Sequence, residues 1–129
     1  MEPRTHLAIH PDWVGTVETL EDGCCRAALT ARQEMAADEK GLVHGGFTFG
    51  LADYAAMMAV NHPYVVLGGA EVRFTAPVRV GQRMVAEARV VEAEGRKRVL
   101  SVTVRVEDRP VLEGTFTAFV LDRHVLDGA

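Results

Sequence analysis

At 129 residues the chain is the length of one domain, residues 1–129, and can bury enough surface to fold without disulfide or metal staples. With 48% hydrophobic and 25% charged residues it is not disordered, and a net charge of -4 with scattered basic residues argues against nucleic acid as a partner. The two cysteines are neighbours, Cys24-Cys25, a spacing that suits neither a disulfide framework nor a zinc site; reduced thiols, a cytoplasmic setting and no metal are the expectation.

MEPRTHLAIH at the N-terminus has charges but no apolar run behind them, so no signal peptide is expected. Val14 to Leu20 and Cys24 to Thr30 read as two strands, with Glu21-Asp22-Gly23 as the hairpin turn between them. Ala31 to Gly41 is polar and mixed and reads as a loop. Gly46 to about Asn61 reads as one helix, rich in Ala, Met and Leu and ended by Pro63. One side carries Phe47, Leu51, Tyr54, Ala55 and Met58; the other carries Phe49, Ala56, Met57 and Val60, with Asp53 among them. A helix apolar all round is buried all round. Val65 to Pro77, Gln82 to Ala93, Lys97 to Glu107 and Val111 to Leu121 read as four strands in antiparallel succession, clearest in VLSVTVRV with its alternating valines. The fold class is therefore α+β, a curled antiparallel sheet wrapped round one long central helix. One sheet cannot cover that helix on every side, so a homo-oligomer is expected, with no membrane span.

Asp53 is the residue that this pattern does not explain. A carboxylate among apolar groups is either satisfied by local hydrogen bonds or placed for chemistry, and no basic residue lies one helical turn away. His44-Gly45-Gly46 stands where the helix begins. The free N–H groups and positive dipole end of a helix N-terminus favour a developing negative charge, and glycine lets a ligand approach the backbone. His44 and Asp53 are nine residues apart, roughly 13 Å along a helix and half a turn out of phase at ~3.6 residues per turn. A helix paired antiparallel with that of a second chain would bring Asp53 of one to Gly45 of the other.

HGGFTFGLAD resembles the HGG-x(6)-D signature of hotdog-fold acyl-CoA thioesterases of the PaaI (phenylacetate-pathway) type, and Phe74-Thr75-Ala76-Pro77 followed by Val78-Arg79-Val80-Gly81 resembles that family's F-x-x-P segment. The resemblance spans essentially the whole chain. It implies a hotdog fold, dimers or tetramers with sites at the dimer interface, and hydrolysis of an acyl-CoA to acid and CoA without any other cofactor. It also implies that Asp53 is the catalytic carboxylate, as general base or as nucleophile. Gly45 then supplies the N–H that polarises the thioester carbonyl, beside Gly46, and His44 shapes the loop.

There are departures. Asp38 stands where relatives often have a substrate-touching Asn or Gln, Leu67 where some have Ser or Thr, and Tyr54 where some have Thr. The CoA phosphates need cations, and Arg73, Arg79, Arg96, Lys97 and Arg98 lie on or near strand ends; EGRKR reads first as a solvated turn and second as a phosphate clamp. His6, His10, His62 and His124 read as surface or helix-end residues. Phe47, Phe49, Tyr54, Met57 and Met58 suit either an acyl pocket or plain core. Two rival functions remain: a non-catalytic acyl-CoA binding module, and a hotdog hydratase or dehydratase. The second is disfavoured because neither the D-x(4)-H nor the H-F-P-G pattern occurs.

Overall fold

The computed structural model describes residues 1–128. In chain order the elements are α1 (Pro11–Val14), β1 (Thr16–Glu21), β2 (Cys24–Thr30), a 3-10 turn (Gln33–Met35), α2 (Gly45–Val60), β3 (Val65–Phe74), β4 (Arg83–Glu94), β5 (Lys97–Val106), β6 (Arg109–Val120) and a second 3-10 turn (Val125–Asp127). The short α1 precedes the expected first strand and shares only Val14 with it. Pro11 opens it and the His10 ring accepts from the Asp12 N–H, which makes one turn of helix before Gly15 at φ 91° sends the chain into β1.

The strands form one six-stranded sheet in the order β1-β2-β4-β5-β6-β3, every pair antiparallel. This corrects one expectation. The late strands β4, β5 and β6 do follow one another, but β3 does not adjoin β4; it pairs with β6 at the far edge. Between β2 and β3 the chain runs through α2, and that helix carries it across the concave face past β4, β5 and β6. Gly114 on β6 is what lets β3 come close, since a Cβ there would run into the Glu71 carbonyl. The expected loop 31–41 is a loop with a 3-10 turn in it, pinned by bridges Ala36–Val43 and Leu42–Arg79.

Alternation sets which side of each strand meets the helix. On β5, Leu100, Val102, Val104 and Val106 are buried, while Ser101, Thr103 and Arg105 stand on the other face. Met84, Ala86 and Ala88 of β4 and Phe116 and Ala118 of β6 complete the concave wall. Against it lie Leu51, Ala52, Ala55, Met58 and Ala59 of α2, each at or below 1% exposure. Small alanines let helix and sheet approach, and Leu and Met fill the gaps. Met57 and Met58 are therefore core within one chain, and Phe49 stacks on Phe116 with ring centroids 5.4 Å apart. No helix among the described residues is long and apolar enough to cross a membrane.

Candidate active site

The sheet does not reach every side of α2. Gly46 is exposed, and Gly50, Asp53 and Tyr54 are only half-buried, so one ridge of the helix at i, i+4 and i+7 spacing lies outside the sheet's embrace. Asp53 sits on that ridge. Its Oδ1 is buried and has no hydrogen-bond partner among the described residues. Burial pushes the Asp53 carboxyl above its ordinary range, and the charge of His6 pulls weakly the other way. An acceptor left unsatisfied in this way costs stability, which a purely structural acid would avoid by finding a donor.

The N-terminus of α2 is built by His44. In extended backbone at φ -63° and ψ 130°, it caps the helix, and its Nδ1 accepts from the Gly46 N–H at 2.9 Å. The Phe47 N–H goes to the His44 carbonyl at 3.1 Å. Gly46 is thus occupied by the cap, whereas the Gly45 N–H has no partner among the described residues. The ring of Phe74, 54% exposed at the end of β3, lies over Gly45: a Cβ on Gly45 would stand 3.2 Å from Phe74 Cε1. A reacting group that reaches Gly45 therefore comes between an open backbone donor and an aromatic face. Gly45 and Asp53 are eight residues apart on one helix, about 12 Å along its axis, too far to serve one carbonyl together.

The remaining candidates are not gathered there. The Asp38 carboxylate accepts from the Lys40 N–H at 2.9 Å and the Leu42 N–H at 3.2 Å, so it holds its own loop. Arg73, opposite Glu113 on β6 at 3.8 Å, is 81% exposed and stands at the Phe74 end. Lys97 is opposite Phe119 of the same strand, about 20 Å from Arg73 at ~3.4 Å per residue. Arg96 pairs with Asp122, and Arg98 donates to the Gly95 and Lys97 carbonyls. The basic turn is largely satisfied by its own surroundings, and one chain does not unite it with Arg73 as a single cation cluster. Arg79 lies on a bridge to Leu42, its N–H held by Gln82 at 2.8 Å. Among the described residues no His, Cys, Asp and Glu group has the makings of a metal site.

The sequence reading missed the N-terminal segment. It runs along the open side of α2: the Arg4 N–H donates to Asn61 Oδ1 at 2.6 Å and Asn61 Nδ2 donates to the Glu2 carbonyl at 2.9 Å. His6, expected on the surface, packs edge-on against Tyr54 with centroids 6.4 Å apart, and Trp13 tilts against Phe47 at 6.1 Å. No local pattern announces this, because the contacts join residues 34 to 59 positions apart.

A curled antiparallel sheet round one helix, with an acid on the helix's open ridge and a histidine-capped, glycine-lined N-terminus, is a hotdog fold of thioesterase type. The chain belongs to the thioesterase superfamily, which matches residues 40–113. It is 54% identical to the uncharacterized protein PH1136 from Pyrococcus horikoshii over 98% of both chains, with a TM-score of 0.97. It is 30% identical to a variant of the phenylacetic acid degradation protein PaaI from Thermus thermophilus over 86% of this chain and 97% of that one, with a TM-score of 0.79. Among curated relatives it is 46% identical to a methylthioribose-1-phosphate isomerase from Aquifex aeolicus over 95% of this chain, and 31% identical to the transcription factor FapR of a Thermoanaerobacter species over 66% of it. The chain spans 27% and 42% of the length of those two proteins.

Proposed function

We propose that the chain is an acyl-CoA thioesterase that works as a dimer, with Asp53 of one protomer facing Gly45 of the other. The observation that carries this is the complementary pair of unmet groups on α2: a buried carboxylate oxygen without a donor, and a helix N-terminal N–H without an acceptor. Two antiparallel helices would align them in two equivalent sites, as a two-fold axis requires. β3 is an edge strand of ten residues whose outer side is uncovered, which offers a place for the two sheets to join.

In that arrangement the thioester carbonyl oxygen accepts from the Gly45 N–H, with the positive end of α2 behind it. Asp53 takes a proton from water as the water oxygen bonds to the carbonyl carbon. Burial suits this role, because a carboxyl pushed up from its ordinary range is a better proton acceptor near neutral pH. Collapse of the tetrahedral oxyanion breaks the C–S bond, and the Asp53 proton goes to the departing thiolate. His44 keeps the Gly46 N–H occupied and so leaves Gly45 as the donor on offer. Of the cations, Arg73 stands at the Gly45 end and is the first candidate for the CoA phosphates.

The test is release of free CoA thiol from short, medium, long and aromatic acyl-CoAs, with wild type and Asp53→Asn side by side. Turnover that falls 10²-fold or more in the variant, at about unchanged KM, is the expected result. The second reading is a non-catalytic acyl-CoA binding module. The similarity to proteins named as transcription factors favours it, as does the Asp38 carboxylate that is bound up in its own loop. Binding without turnover on any member of the panel would establish that reading instead.

A further inference from the structure

The thioesterase mechanism above uses nothing from the first ten residues, yet three of them are fastened to α2 or its cap. Glu2 and Arg4 are tied through their backbone to Asn61, itself 7% exposed and in the left-handed region at φ 51°. Thr5 is buried at 6%, and its hydroxyl meets His6 Nδ1 at 2.8 Å. His6 is held at φ 54°, a left-handed conformation that a non-glycine residue adopts only at a cost. In that conformation the half-buried imidazole lies edge-on to Tyr54, the residue that follows Asp53 on α2. The two side chains do not form an ion pair in direct contact, but each lies within the field of the other.

We propose that the N-terminal arm is a wall of the active site and that His6 is the positioning residue for Asp53. When the Thr5 hydroxyl donates to Nδ1, the proton of the neutral imidazole lies on Nε2. That N–H is a donor for a water shared with the orphaned carboxylate. The carboxylate then has a fixed orientation and the water a fixed place, without a full countercharge that would make Asp53 too weak a base. The proton transfer stays between water, Asp53 and the thiolate; His6 takes no part in it. The titratable groups packed at this spot are Asp53 and Tyr54 from α2, His6 from the arm and Cys25 from β2. Burial raises the Tyr54 phenol, with the Cys25 thiol adding to that rise, and the thiol itself is pushed up to about 12, so neither carries charge near neutral pH.

This assignment rests on the thioesterase reading for its consequence but not for its test. Proton NMR of the 129-residue chain follows the imidazole of each of the five histidines against pH, with His6 identified by its loss in His6→Asn. Asparagine tolerates the left-handed backbone and keeps a donor and an acceptor, so that variant is expected to fold. In Asp53→Asn the His6 midpoint should fall, as the negative charge that raises it is removed. A His6 midpoint that does not move overturns the pairing. In the CoA-release assay, His6→Asn should lower kcat about tenfold with KM within twofold, and shift the acidic limb of kcat/KM to higher pH. An unchanged limb with an unchanged kcat overturns the positioning role. If the His6 midpoint moves but wild type turns over no acyl-CoA, the pair stands and the thioesterase reading falls.

Discussion

Replacing Asp53 with Asn should make the protein more stable and less active together. The carboxylate oxygen Oδ1 is buried without a donor, and leaving such an acceptor unmet costs about 1–3 kcal/mol. Asparagine is nearly isosteric but neutral, so it removes the penalty on the charge while keeping part of the penalty on the polar group. A net gain of about 1 kcal/mol is expected, which for a chain of this length is a rise of about 4 °C in Tm. The gain must depend on pH. Because folding raises the Asp53 pKa, the folded chain holds that proton more tightly than the unfolded one. Stability from this group is therefore present below the ordinary aspartate value and is lost as pH rises through the raised value. Calorimetry on wild type and Asp53→Asn should show the variant ahead at pH 8, with the gap closing toward pH 4. A variant that melts several degrees below wild type at pH 8 would refute the reasoning, since Asp53 would then be a satisfied structural acid.

Three further changes probe the site and its supports. Gly45→Ala should leave Tm within about 2 °C, since the exposed Phe74 ring can yield the few tenths of an ångström that a methyl needs, but it should cut CoA release on the order of tenfold by crowding the free N–H. Full activity in Gly45→Ala would remove that N–H from the mechanism. Asn61→Ala loses both the left-handed cap and two hydrogen bonds to the arm, for about 2 kcal/mol or about 8 °C in Tm, whereas Asn61→Gly keeps the cap and should lose about half of that. An Asn61→Gly variant as stable as wild type would mean that the arm's hydrogen bonds contribute nothing, and equal losses in the two variants would mean the same of the left-handed cap. Iodoacetamide at pH 8 should modify the half-buried Cys24 well before Cys25, whose buried thiol is pushed up to about 12; peptide mapping that finds Cys25 labelled first would contradict the packing of β2.

Much of this architecture is legible along the chain because it is local. The turn at Asp22-Gly23, the valine alternation of β5 and the helix that starts at His44 all follow from preferences spanning a few residues, and each element stands within a few positions of its expected place. The HGG-x(6)-D spacing is local as well, which is why the sequence alone places Asp53 half a turn and more than two turns away from the helix start. What only the tertiary structure decided is which distant residues meet. Periodicity marks β3 as a strand but cannot choose β6 over β4 as its neighbour, because hydrogen-bonding edges are alike until α2 carries the chain across the sheet. The same limit hid the arm. MEPRTHLAIH has no periodic signal, and its order comes from Asn61 and Tyr54, more than 45 residues downstream along the chain. A residue with no basic neighbour on its own helix gained one from the other end of the sequence, since burial and charge act through space and not along the backbone.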